Sequence, residues 1–142
     1  MVPGLLARRL TQVTWWLRAR PRAAGAAVGY FGASTGAAAA PRAAAGPGAG
    51  IAAVVSRGGR PGLARPRLAA VTAPTLLIAG GNDDVVLDLN RRAQPGLHCE
   101  NRLAVVPGAT LLFEEPGTLD TAAELARGWF LSHLARRRNP VA

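Results

Sequence analysis

Five small residues, Gly32-Ala33-Ser34-Thr35-Gly36, separate the apolar run Ala26-Ala27-Val28-Gly29-Tyr30-Phe31 from the alanine run at 37–40. That order predicts a strand, a sharp turn with serine at its tip, and a helix. A G-x-S-x-G turn calls for small residues on both sides of the serine, because it brings strand and helix too close for larger Cβ substituents. Ser34 would then stand exposed above a sheet as a candidate nucleophile. The backbone N–H of Thr35, at the helix start, would point at a developing oxyanion, where unsatisfied amides and the helix dipole favour negative charge.

The rest of the chain alternates in the same way. Leu5 to Arg20 has apolar residues at Leu6, Leu10, Val13, Trp16 and Leu17, the spacing of an amphipathic helix that ends before Pro21. The helix after the turn should run from Thr35 to Ala45, kinked or shortened by Pro41, which removes a hydrogen bond and crowds the Ala37 carbonyl. Ile51–Val55 reads as a buried strand followed by a loop over residues 56–62, and Leu63–Val71 as a short helix interrupted near Pro66. Pro74–Ala79 is the clearest strand, ending at Gly80-Gly81-Asn82-Asp83-Asp84, with a helix from Val85 to Gln94. Arg102–Val106 makes a fourth strand, and a capped helix runs from Thr118 to about Arg138, with Leu125, Trp129, Phe130 and Leu134 on one face. Near-continuous apolar strands alternating with helices predict about four parallel strands in a three-layer α/β/α sandwich.

At 142 residues the chain is expected to form one domain, 1–142. No segment reaches the roughly 18 apolar residues of a membrane span, and no signal-peptide h-region follows Arg8 and Arg9, so the expected place is the cytoplasm. The single Cys99 excludes an internal disulfide. With only His98 and His133 beside it, no Cys/His set is spaced for a metal, and no cofactor is expected. All 17 basic residues are arginine, giving a net charge of +9. They are spread along the chain, cluster only at Arg136-Arg137-Arg138, and have few aromatics between them, which argues against a nucleic-acid-binding module while keeping it as a reading from another class. Gly29, Gly32 and Gly36 do not match G-x-G-x-x-G, and a chain without lysine has no Walker A motif.

In open α/β sheets, sites form at the carboxyl ends of the strands, which directs attention to Ser34, residues 56–60, Asp83 with Asp84, and residues 107–113. A serine nucleophile needs a base, and an imidazole base needs a carboxylate to hold its tautomer, in the chain order Ser, acid, His. Asp83 is the better acid, because Gly80 and Gly81 give a sharp exit from the strand, while Asp84 begins the helix and could serve only as its cap. The plainer reading, in which both aspartates are turn and cap residues, stays open.

Several blocks resemble one family in order: Gly29-Tyr30-Phe31-Gly32-Ala33-Ser34-Thr35-Gly36-Ala37-Ala38-Ala39-Ala40, Ser56-Arg57-Gly58-Gly59-Arg60-Pro61, Ala73-Pro74-Thr75-Leu76-Leu77-Ile78, and Val105-Val106-Pro107-Gly108-Ala109-Thr110 with Phe113-Glu114-Glu115-Pro116-Gly117. They are similar to the bacterial dienelactone-hydrolase-like branch of the α/β-hydrolases, some of whose members are fused to a phosphoribosyltransferase domain. The resemblance implies a partial α/β-hydrolase fold, hydrolysis of ester or lactone bonds, Ser34 as nucleophile and Asp83 as acid.

Two departures qualify that implication. Relatives carry histidine in the loop after the last strand, and alignment on Gly108-Ala109-Thr110 puts Leu111 at that position. Leucine neither accepts the serine proton nor returns it to a leaving group. His98 lies before the fourth strand and His133 deep in the terminal helix, poor places for a substitute. The resemblance also begins at the helix before the Ser34 strand, so the family's first strands are expected to be absent, with the loop that supplies the second oxyanion amide. The Ser34 strand would then be a bare apolar edge. The sequence is therefore read as a hydrolase-family domain of weak or no activity. The alternative is an active hydrolase completed across that edge by another polypeptide or a second copy.

Overall fold

The computed structural model describes residues 3–138, with side-chain surroundings to residue 134; the cluster Arg136-Arg137-Arg138 therefore lies outside the described side chains. Four parallel strands in the order β1-β2-β3-β4 form one sheet: β1 Gly29–Ala33, β2 Ala53–Arg57, β3 Thr75–Gly80 and β4 Asn101–Val106. Each strand pairs with the next in sequence, with Phe31 opposite Val55, Val55 opposite Leu76 and Leu76 opposite Arg102. Helix α1 Pro3–Arg18 precedes β1, α2 Gly36–Ala44 joins β1 to β2, α3 Asp84–Ala93 lies between β3 and β4, and α4 Thr118–Arg138 follows β4.

Strand alternation divides the core into two layers. Tyr30, Val54 and Leu77 pack with Ala7, Ala38, Ala40, Ala43 and Leu68 on one side. Val55, Leu76 and Ile78 pack with Ala122, Ala126 and Phe113 on the other, under α4. The expected α/β layering is thus present. Strand β3 is buried along its whole length, as a central parallel strand must be.

Several local readings shift. Strand β2 begins two residues later than the apolar run suggested, so Ser56 and Arg57 belong to the strand rather than the loop. Leu63–Val71 is interrupted near Pro66 as expected, but its pieces are not α-helical. It splits at Pro66 into 3-10 turns at Pro61–Ala64 and Arg67–Ala70, because proline both lacks an N–H and restrains the residue before it.

The apolar stripe of α1 is corrected more strongly: Val13, Trp16 and Leu17 are exposed, and the buried positions are Ala7 and Thr14. Thr14 is held inside by its hydroxyl, which donates to the Leu10 carbonyl and lies 2.6 Å from the Tyr30 hydroxyl of β1. Helix α1 packs mainly on α2, with Ala7 in the same cluster as Ala40, Ala43 and Ala44, and reaches β1 through the Thr14–Tyr30 hydroxyl contact.

Helix α2 continues through Pro41 for nine residues. Proline cannot donate to the Ala37 carbonyl one turn back. The Ser56 hydroxyl of β2 donates to that carbonyl instead, at 2.9 Å and fully buried. Strand β2 thus supplies the hydrogen bond that Pro41 withholds. Ser56→Ala is expected to destabilise the fold by about 1–3 kcal/mol by leaving the carbonyl unpaired. In a Pro41→Ala background the restored N–H should reduce that loss to under about 1 kcal/mol, a coupling that urea unfolding of the double-mutant cycle measures.

Candidate active site

The turn at Ser34 has the geometry a nucleophile elbow requires. Ser34 has φ 55°, a left-handed conformation rarely adopted by a non-glycine residue. Its neighbour Gly32 is obligatory, since an added Cβ would collide with the Gly36 carbonyl. The other glycine differs from expectation, because a Cβ on Gly36 would meet nothing within 4 Å. Close approach is thus borne on the strand side alone. A second contact braces the turn: a Cβ on Gly59 would strike the Ser34 carbonyl and the Ala37 side chain. Asn90, fully buried on α3, holds Gly59 by donating to its carbonyl at 3.1 Å and donates also to the Val86 carbonyl.

Thr35 is the N-cap residue of α2 and its side chain makes no capping bond. Its N–H has no acceptor among the described residues. The Ala37 and Ala38 N–H groups of the same turn are already spent on the Ser34 and Thr35 carbonyls, so the Thr35 amide is a donor left at the end of the helix that favours negative charge.

Asp83, not Asp84, is the N-cap of α3, its Oδ1 accepting from the Val86 N–H at 3.2 Å. Asp84 is the first helical residue and is exposed. Asp83 is only part-buried.

Leu111 sits in the loop between β4 and α4. Glu115 accepts hydrogen bonds from the Thr110 hydroxyl and N–H and so ties that loop together. Those bonds, the hydroxyl first, hold the exposed Glu115 carboxyl below its ordinary range. Its share of loop stability is accordingly present above the usual carboxylate range and lost as pH falls through the lowered value. Phe113 completes the loop, with φ 55° and a buried ring against which the Arg57 guanidinium stacks at 4.9 Å. The Arg57 Nε is buried without a partner. From the sequence, Arg57 falls within the stretch 56–60 marked at the carboxyl end of a strand, but no local signal gives it a role of its own.

Ser34, Thr35 and Leu111 line one cavity of about 350 Å³, with Gly58, Gly59 and Arg60. Asp83 is not among its lining residues, though Val86, which it caps, is.

The two histidines lie elsewhere. His98 is exposed ahead of β4, at the amino edge of the sheet. His133 is buried on α4, with Nδ1 2.9 Å from the Trp129 carbonyl and Nε2 3.1 Å from the Glu100 carboxylate, also ahead of β4. Both its ring nitrogens are occupied, at the end of the sheet opposite Ser34. Cys99 is part-buried, and desolvation pushes its thiol pKa up, away from nucleophilic character. Among the described residues, no group of three His, Cys, Asp or Glu could hold a metal, and no helix is long and apolar enough to cross a membrane.

A parallel sheet with helices on both faces and a strained serine between strand and helix defines an α/β-hydrolase-like fold. No protein-family model matches the chain. The fold is similar to a dienelactone hydrolase from Anabaena variabilis, with TM-score 0.90 and 50% identity, over 92% of this chain and 61% of that one. It is also similar to Est1E from Butyrivibrio proteoclasticus, with TM-score 0.78 over 95% of this chain and 72% of that one, at 14% identity, a likeness of fold alone. In sequence, 130 residues are 61% identical to a protein of Mycobacterium tuberculosis, found in two strains, whose name provisionally makes it a phosphoribosyl transferase. The match covers 92% of this chain but 29% of the mycobacterial protein. The chain thus resembles the dienelactone-hydrolase-like α/β-hydrolases.

The two glycines of the G-x-S-x-G turn should respond differently. Gly32→Ala is expected to cost at least about 1–3 kcal/mol, since its obstacle is backbone that cannot swing aside. Gly36→Ala should stay within about 1 kcal/mol of the parent or stabilise it. Thermal unfolding of the two variants distinguishes them.

Proposed function

We propose that this chain is a serine-hydrolase scaffold for ester or lactone cleavage, with Ser34 as nucleophile, the Thr35 N–H as oxyanion donor and Asp83 as the acid, and that its own activity is weak or nil. The observation that carries the reading is the wall of the Ser34 cavity, which presents Leu111 and Arg60 but no imidazole or carboxylate. A hydroxyl attacks a carbonyl carbon only if its proton is taken, and the same proton must then reach the leaving alkoxide. Leu111 does neither. An arginine, charged at any ordinary pH, is no substitute base. Asp83 would have served to orient and charge-stabilise an imidazolium that this chain does not form. We assign the phosphoribosyl transfer in the mycobacterial name to the larger part of that protein that this chain does not match.

The test is labelling of Ser34 with a fluorophosphonate probe. The parent chain should label at the background rate of Ser34→Ala, and Leu111→His should label faster by about 10²–10⁴-fold, the usual worth of a positioned acid-base group. Leu111 is 45% exposed, so the exchange costs little packing. Rapid labelling of the parent would refute the inactivity. A folded Leu111→His chain that stays unlabelled would refute Leu111 as the base position.

A second reading is favoured by the open edge of the sheet. Strand β1 is an outer strand, Phe31 on it is half-exposed, and with Leu6, Leu10 and Val13 of α1 it lines an apolar groove of about 300 Å³. Unpaired strand backbone beside an apolar groove invites another strand. In this reading a second copy or another polypeptide pairs on β1 and completes an active hydrolase. On size-exclusion chromatography the second-copy form predicts a dimer that Phe31→Arg converts to monomer. A monomeric parent at micromolar concentration removes that form.

A further inference from the structure

The charge of this chain is segregated. Residues 1–82 contain ten arginines and no Asp or Glu, whereas all eight acidic residues fall between Asp83 and Glu124, among and beside the other seven arginines. The fold then gathers part of the unbalanced set. Arg8 from α1, Arg42 from the last turn of α2 and Arg67 from the second 3-10 turn line one cavity of about 390 Å³, with Thr11 and Gln12 on its wall. No carboxylate lines it. Among the described residues none of the three guanidinium groups takes part in an ion pair or a hydrogen bond, whereas Arg18 and Arg65 on the same side of the sheet are spent on backbone carbonyls.

The placement is built rather than incidental. Arg42 is half-buried, and its guanidinium lies over Gly4 of α1, 3.1 Å from where a Cβ would stand, so glycine there leaves it room. The Thr11 hydroxyl already donates to the Ala7 carbonyl. The donors left to face a ligand are the three guanidinium forks and the Gln12 amide. Three like charges around one cavity repel one another, and a multiply charged anion between them converts that repulsion to attraction. Guanidinium is planar, and its paired N–H groups match two phosphate oxygens at once.

We propose that this cavity is a binding site for a small phosphorylated anion carrying at least two negative charges. The site is separate from the Ser34 cavity, with which it shares no lining residue. A nucleic-acid strand is disfavoured as occupant, because the exposed Trp15 and Trp16 do not line the cavity and provide no stacking platform beside the charges.

Isothermal titration of the full chain with inorganic pyrophosphate, at fixed ionic strength and with sulfate as the comparison anion, tests the proposal. One molecule should bind per chain and raise the melting temperature. Arg42→Ala should weaken binding by about tenfold or more, as loss of a charge-assisted bidentate contact does. Arg42→Lys, which keeps the charge but not the fork, should recover only part of it. Arg67→Ala, on an exposed turn, provides a variant whose fold does not depend on the removed side chain and should also weaken binding. The double variant Arg20→Ala/Arg22→Ala should bind as the parent does. No measurable binding, sulfate binding as tightly as pyrophosphate, or a loss that follows Arg20 and Arg22 rather than Arg42 and Arg67 would each overturn the assignment. Tight, steeply salt-dependent binding of an oligonucleotide that survives Arg42→Ala would place the ligand class elsewhere on the surface.

Discussion

The backbone of β1 meets the first turn of α2 at Gly32, and the whole carboxyl edge of the sheet is organised around that contact. The chain turns so tightly that Ser34 is forced to a positive φ, a strain that persists only if surrounding contacts hold it. Three do. Gly59 fills the space behind the turn, Asn90 of α3 fixes Gly59 by its carbonyl, and Ser56 of β2 grips the Ala37 carbonyl. The side chains that brace Ser34 therefore come from the next strand and the next helix but one.

The same bracing explains why α2 tolerates its proline. An interior proline ordinarily leaves a carbonyl to find water, but α2 is buried along almost its entire length. Only a neighbouring side chain can reach that carbonyl, and the serine that does so occupies a strand position where an aliphatic residue would otherwise be expected. Pro41 and Ser56 are each unfavourable for their own element and are reconciled only by their mutual position.

Legibility from sequence follows the range of the interactions involved. Apolar runs and glycine-rich exits announced all four strands, because those signals are local, and their alternation with helices announced that the sheet is parallel; the strand order was not legible. The sharp turn at Ser34 between β1 and α2 was legible because its signal is local too. The end of β2 was not, since a hydroxyl and an arginine in the strand are explained only by the Ala37 carbonyl and the Phe113 ring, both distant in sequence. The face of α1 was misread because threonine normally counts as outward, and its partner Tyr30 lies sixteen residues away. The cap of α3 fell one residue earlier than the helix pattern suggested, at Asp83. The arginine cavity draws one residue from each of three elements, and no spacing along the chain encodes it.

The outward turn of α1 also separates the three tryptophans into two optical environments. Trp15 and Trp16 stand in solvent, with the Arg20 guanidinium over the Trp16 ring. Trp129 is part-buried on α4, its indole N–H donating to the Pro74 carbonyl at the entrance to β3. Emission from the first pair reports on whatever covers α1, and emission from the third reports on the seating of α4 against the sheet. The chain thus carries separate intrinsic fluorophores for its outer surface and its core.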